Sequence, residues 1–256
     1  MTWFIGFSEG DGCFNVRDKG FSFSLAQDEK YVLTHIRDTL GFGKVSKFKD
    51  QEKWSYYVEK RYYIYLLILI FNGNLVLNHR YSQFYYFIDK FNTTLFNNKP
   101  YEYKIEIKER LLLPTLNDAW LSGFVDAEGH FGCPIETKRK HISHYISIVF
   151  EVGQNGEVRF FPYIQELLSG GLIAPKIQTE ETHNRIIFKG YTKLGSIISY
   201  FDKYPLRSEH KLESYVLWKE MYKSLRLKEH LNLKLLPSLV AKAQVINKIS
   251  KVSTSN

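Results

Sequence analysis

Apolar and polar positions alternate along the chain with periods that predict its elements. The run Trp3-Phe4-Ile5-Gly6-Phe7 leads into Ser8-Glu9-Gly10-Asp11-Gly12, the composition of a short buried helix closed by a glycine. Phe14 to Lys19 and Phe21 to Asp28 are short runs joined at Lys19-Gly20, which predicts a hairpin. Glu29 to Leu40 has helical spacing, with Val32, Leu33, Ile36 and Leu40 on one stripe and Gly41 as its stop. Lys44 to Lys49 and Trp54 to Glu59 predict a second strand pair, and Arg61 to Asn72 and Tyr81 to Phe91 two further helices. The first half therefore runs helix, two strands, helix, two strands, two helices.

The second half repeats the order. Trp120-Leu121-Ser122-Gly123-Phe124-Val125-Asp126-Ala127-Glu128-Gly129-His130-Phe131 follows Trp3 to Phe14 at a constant offset of 117, pairing Trp3 with Trp120, Gly6 with Gly123 and Asp11 with Glu128. The offset then drifts upward: Gln27 pairs with Gln154, Gly43 with Gly171, and Arg80 with Lys211. Loop insertions produce such a drift. Most of the added length falls in Glu136 to His144, a predicted hairpin tip carrying Lys138, Arg139 and Lys140. Leu111 to Thr115 closes the connector, where Thr115 or Asn117 is expected to cap the second motif helix. Trp218 to Lys228 and Pro237 to Lys251 are expected to be helical, with Lys219, Lys223 and Arg226 on one face where they can touch phosphates.

Each repeated helix carries small residues (Gly6 and Gly10; Ser122, Gly123 and Ala127) that allow a close helix contact. Each places an acid, Asp11 or Glu128, just before its terminal glycine, where the helix dipole is negative and a carboxylate is disfavoured. That charge calls for compensation. If the two helices pack in parallel through their small faces, the acids emerge together and suit a cation. Oxygen ligands without His or Cys partners match Mg²⁺, which keeps several waters and is completed by substrate phosphates. One copy alone would be ordinary helix packing; two in register point to chemistry.

At these residues the chain resembles the LAGLIDADG homing endonucleases in their single-chain, two-motif form. The nine-residue signature matches Phe4 to Gly12 and Leu121 to Gly129, with Ser8 and Glu9 departing from its commonest letters. The resemblance implies an α+β fold of two pseudo-twofold-related halves, each a four-stranded antiparallel β-saddle with helices on one face, joined through the motif helices. It divides the chain into an N-terminal half (1–105), a linker (106–115) and a C-terminal half (116–256). It implies that Asp11 and Glu128 bind the metal, that Arg80 and Lys211 supply cations near the scissile phosphate, and that Gln27 and Gln154 order water. Lys211 follows Tyr204-Pro205-Leu206, a turn the family also carries. The implied reaction is metal-dependent cleavage of double-stranded DNA at a long, non-palindromic site, leaving 3′ overhangs. Mg²⁺ is the expected metal, with Mn²⁺ able to substitute and Ca²⁺ supporting binding without efficient cleavage. Some family members act instead on group I intron RNA as splicing cofactors, which is the principal alternative; a DNA-binding regulator or a two-carboxylate glycosidase fits less well.

Composition agrees without identifying. Lys and Arg number 35 against 27 Asp and Glu, a formal charge of +8, so polyanions should be attracted through counterion release. Strand alternation places Asn15, Arg17 and Lys19 on one face, the first candidate DNA surface, with Lys138, Arg139 and Lys140 a second. His141 and His144 are expected to be solvated contacts rather than ligands. Two cysteines, Cys13 and Cys133, give no disulfide framework. The apolar run Tyr62 to Phe71 is too short for a membrane span, no secretory signal is expected, and two motifs in one chain suggest a monomer. Abundant Tyr, Phe, Ile, Asn and Lys suggest an AT-rich coding genome and hence an organelle, mitochondrion or chloroplast.

Overall fold

The computed structural model describes residues 1–18, 20–96, 104–109, 113–136, 145–155, 160–177 and 182–252. The chain forms two compact units, Met1–Ala127 and Glu128–Asn256.

In the first unit, α1 (Thr2–Asp11) is followed by β1 (Gly12–Arg17), β2 (Gly20–Gln27), α2 (Lys30–Leu40), β3 (Lys44–Lys47), β4 (Trp54–Val58), α3 (Arg61–Phe71) and α4 (Asn78–Phe96). The strands make one antiparallel sheet in the order β1-β2-β4-β3. Its register pairs Phe14 with Phe23 and Phe23 with Val58. Strand alternation then turns Phe14, Phe23, Leu25, Tyr56 and Val58 to the core and Asn15, Arg17, Ser24, Ser55 and Tyr57 to the opposite face. Phe14 is the hub, its ring 5.0 to 5.4 Å from Phe23, Phe71, Phe84 and Phe87. Each such side chain contributes about 1.5–3 kcal/mol on burial, so the strand after the motif helix is fixed by the core behind it.

The second motif helix, α5 (Trp120–Glu128), lies in this first unit through Ala127. A Cβ on Gly6 would stand 2.0 Å from the carbonyl oxygen of Trp120, and one on Gly123 1.9 Å from that of Trp3. Only glycine permits this backbone contact. The Ala119 amide donates to Thr2 Oγ1 at 3.3 Å, so the two helices start side by side and run in the same direction. Each stacks its own aromatic pair, Trp3 on Phe7 and Trp120 on Phe124. Asp118, rather than Thr115 or Asn117, starts α5, accepting from the Trp120 amide at 2.7 Å; Thr115 instead accepts from the Asn117 amide. The connector is tied to the first unit: Asn72 receives from the Lys108 amide and donates to the Glu106 carbonyl.

The second unit continues with β5 (Gly129–Gly132), β6 (Ile135–Glu136), β7 (Tyr145–Ile146), β8 (Val149–Asn155), α6 (Phe160–Leu167), β9 (Leu172–Ile177), β10 (Thr182–Phe188), α7 (Tyr191–Lys203), α8 (Glu209–Arg226) and α9 (Leu236–Val252). Its antiparallel sheet has the order β5-β8-β10-β9, topologically the same as the first. The β6–β7 pair is the base of the inserted hairpin, whose tip, 137–144, lies outside the described residues. Phe131 repeats the part of Phe14, 5.2 to 5.7 Å from Phe150, Phe201, Tyr215 and Trp218. Gly43 and Gly171 both take positive φ, 92° and 102°, a conformation open to glycine at little cost. Asn247 on α9 exchanges two hydrogen bonds with the Cys133 backbone, which pins the C-terminal helix beside β5.

Gly12 closes α1 as expected, in an extended conformation (φ −72°, ψ 143°); a side chain is excluded there by space, since a Cβ would lie 2.4 Å from the Ser8 carbonyl oxygen. One detail differs from the sequence expectation. The stretch from Trp218 is no separate helix but the second half of α8, which starts at Glu209 under a Ser208 cap.

Candidate metal and nucleic-acid site

Asp11 is the last residue of α1 and is half-buried. The negative end of that helix is met by Arg80, near the start of α4. Its Nε donates to the Glu9 carbonyl at 2.7 Å and Nη2 to the Gly10 carbonyl at 2.5 Å. A guanidinium on the last carbonyls offsets the helix dipole and so lowers the cost of a carboxylate on Asp11. Gln27, at the end of β2, donates from Nε2 to Asp11 Oδ2 at 2.6 Å. The resemblance implies a water-ordering role for Gln27; the bond it makes here is to the acid.

Glu9, the first acid of the motif, has a different part. It is fully buried and accepts from the Val76 and Leu77 amides, anchoring the turn that begins α4 and thereby placing Arg80. Asp126, its counterpart, accepts from the Trp3 indole at 2.7 Å. Sequence reasoning assigned nothing to these two residues. An acid inside an apolar helix, three positions after a buried glycine, was the available signal.

In the second unit Glu128 ends α5 and is half-buried. Lys211, on α8, is 2% exposed, and its Nζ donates to the Gly129 carbonyl at 2.5 Å. It is therefore not a solvated residue of the helix face. It is a buried cation on the carbonyl that follows the acid, as Arg80 is on the carbonyls that precede Asp11. Gln154 Oε1 is buried with no hydrogen-bond partner among the described residues. No group of three or more His, Cys, Asp or Glu able to hold a metal occurs among the described residues. One carboxylate at the end of each motif helix suits Mg²⁺, which takes most ligands from water and phosphate.

Of the predicted DNA-contacting residues, Asn15 and Arg17 lie on the face of the first sheet away from its core. Asn15 accepts from the Cys13 thiol at 3.2 Å, and Arg17 sits 5.8 Å from the Tyr57 ring centroid. Lys19, Lys138, Arg139 and Lys140 lie outside the described residues, as do His141 and His144. Lys219, expected as a phosphate contact, is instead engaged by both oxygens of Asp202 at 2.6 Å. Burial raises the Asp202 carboxyl, but hydrogen bonds from Lys219 and Tyr215 outweigh it and hold the group below its ordinary value. Cys133 is buried, which pushes its thiol up to about 12. No helix among the described residues is long and apolar enough to cross a membrane.

Fold and site together define a duplicated α+β protein in which each repeat ends its first helix with an acid and lays a cation on the adjoining backbone carbonyls. The family model described as LAGLIDADG endonuclease matches residues 4–91 and 121–222, and the chain belongs to that family. It is 33% identical over 238 residues to "Probable intron-encoded endonuclease 4" of Neurospora crassa, covering 89% of this chain and 41% of that protein. It is 28% identical over 204 residues to "Probable intron-encoded endonuclease Cox1-I1b" of Schizosaccharomyces pombe, covering 70% and 52%. The chain thus spans about half the length, or less, of these relatives. Meganuclease I-SmaMI, solved bound to uncleavable DNA, superposes with a TM-score of 0.78 over 94% of this chain and 97% of its own, at 18% identity. That likeness is one of fold.

Proposed function

We propose that the chain is a site-specific homing endonuclease that hydrolyses both strands of a long, non-palindromic DNA target and leaves 3′ overhangs. The observation that carries this reading is the acid ending each motif helix with a cation on the adjoining carbonyls, repeated in both halves. Asp11 and Glu128 hold a divalent metal, Mg²⁺ by the chemistry of their oxygen donors, with Mn²⁺ as a substitute. Bound there, such an ion supplies Lewis acidity and an activated water. Gln27 fixes the Asp11 carboxylate, and Gln154 presents an amide for ordering water. Arg80 and Lys211 keep positive charge beside the acids, where it opposes charge building on the scissile phosphate.

DNA is bound by the sheet faces turned from the cores. Asn15, Arg17 and Lys19 serve the N-terminal half (1–105), and Lys138, Arg139 and Lys140 the C-terminal half (116–256), with 106–115 as linker. Antiparallel strands fit the major groove and can read base edges there. Two motifs in one chain support a monomer reading an asymmetric site. Intron-encoded relatives and the Tyr, Phe, Ile, Asn and Lys content support a mitochondrial setting.

The test is cleavage of a randomised duplex library with Mg²⁺, sequencing the ends, with Asp11→Asn as control. Defined 3′-overhang ends that vanish in the control are expected, with Ca²⁺ supporting binding but little cutting. Absence of cleavage alongside tight binding to a group I intron RNA would replace this reading with that of a splicing cofactor.

A further inference from the structure

The two sheets differ at the centre of the face turned from the core. In the second unit that face carries Arg185 on β10, whose Nη1 donates to Glu151 Oε2 on β8 at 3.0 Å. The register places Arg185 between Gly153 on β8 and Ala174 on β9, so its neighbours across both strands have almost no side chain. Small neighbours leave the terminal nitrogens of Arg185 room above the sheet, and its side chain is 37% exposed. Its Nε is buried without a hydrogen-bond partner among the described residues, so the donors it can offer a further partner are the terminal nitrogens. Following the repeat, the corresponding positions of the first unit are Ser24 and Ser55, paired with Tyr57 and Ala26. The ion pair therefore belongs to one half only.

We infer that Arg185, oriented by Glu151, is a specificity-determining residue that reads a guanine in the half-site bound by the second unit. This rests on the proposed DNA-binding role of the sheets. The planar guanidinium matches guanine O6 and N7 as a bidentate acceptor pair, the commonest specific contact in the major groove. A carboxylate gripping one terminal nitrogen fixes the plane of the fork and removes rotamer freedom before DNA arrives. The bland account, a surface ion pair, contributes little to stability and predicts no effect on base choice. The serines at the matching positions of the first unit can contact bases but present no such fork, so this particular guanine contact belongs to one half of the target.

The test is selection of bound duplexes from a randomised library by the full chain in Ca²⁺, comparing wild type with Arg185→Gln, Arg185→Lys and Glu151→Gln. Wild type should select guanine at one position in one half-site. Arg185→Gln should lose that preference about tenfold or more, and Arg185→Lys, which can still donate to guanine but lacks the planar fork, should weaken it to a smaller extent, while every other position is unchanged. The lysine variant, which keeps the charge, should retain overall affinity. Glu151→Gln should weaken the same preference and no other. Undiminished selection of the guanine by Arg185→Gln overturns the inference. So does a uniform loss of affinity with a salt dependence shallower by about one ion, the mark of a phosphate contact. A wild-type chain with no sequence preference at all fails the proposed function itself, whereas a specific wild type unaffected by the variants fails only this inference.

Discussion

Gln27 and Asp11 are joined by a 2.6 Å hydrogen bond from the amide to the carboxylate, so a neutral group from the second strand fixes one oxygen of the acid that ends the first helix. Partners of this kind orient metal ligands, and their loss typically costs 10–100-fold in metal affinity or activity. Gln27→Leu should lower cleavage by about that factor with DNA binding unchanged, while Asp11→Asn should abolish cleavage and leave binding largely intact. Gel-shift and nicking assays on one target separate the two effects. Normal cutting by Asp11→Asn would remove that acid from the site.

The contact between Gly6 and Gly123 concerns stability. Either Gly6→Ala or Gly123→Ala puts a methyl group within about 2 Å of a backbone carbonyl oxygen, where no rotamer change relieves the clash. Overpacking costs typically about 1–3 kcal/mol, and a helix backbone that must move places these variants at or above that range. Urea denaturation should show the midpoint falling for each. An unchanged midpoint would mean that the helices can separate at no cost.

Lys211 is 2% exposed and lies on the Gly129 carbonyl. Lys211→Met keeps the length and removes the charge, leaving a buried carbonyl without this donor. Such a loss costs about 1–3 kcal/mol. Both thermal stability and cleavage should fall, whereas loss of cleavage at unchanged Tm would assign the residue to chemistry alone.

Asp202 contributes a pH dependence. Its carboxyl is held below the ordinary value in the folded chain, so the folded state binds the proton less tightly than the unfolded state. The stabilisation is therefore complete above the usual aspartate range, near pH 4, and is lost as pH falls through the lowered folded value. Asp202→Asn should be less stable than wild type at pH 7 and converge with it in acid. A difference that grew on acidification would reverse the sign assigned here.

The repeat made much of this legible. Trp3 to Phe14 against Trp120 to Phe131 gave the duplicated helices, short strand-like runs gave the four strands of the first sheet, and the repeated order implied those of the second. The acids Asp11 and Glu128 were legible for the same reason, being paired and oddly placed at a helix C-terminus. The Glu9 and Asp126 contacts were not, since their partners Val76, Leu77 and Trp3 are distant in sequence or in the other repeat. Nor was the Gln27–Asp11 bond, which depends on how β2 folds back beside the helix end. The cations were half legible. Spacing found Arg80 and Lys211, but only packing shows that their charges are turned inward onto backbone carbonyls. Lys219 shows the converse, a basic residue read as exposed that Asp202 already holds.

Because α5 packs into the first compact unit while opening the second repeat, the borders of the ancestral duplication and of the folded module are out of step by one helix. A fragment ending at the connector near residue 115 would expose the notch at Gly6, a strip of bare backbone bordered by Trp3 and Phe7. Gene dissection, split-protein reassembly or exchange of halves between relatives should therefore cut after this helix or carry it along, since a junction placed at the sequence repeat discards the surface on which the first half closes.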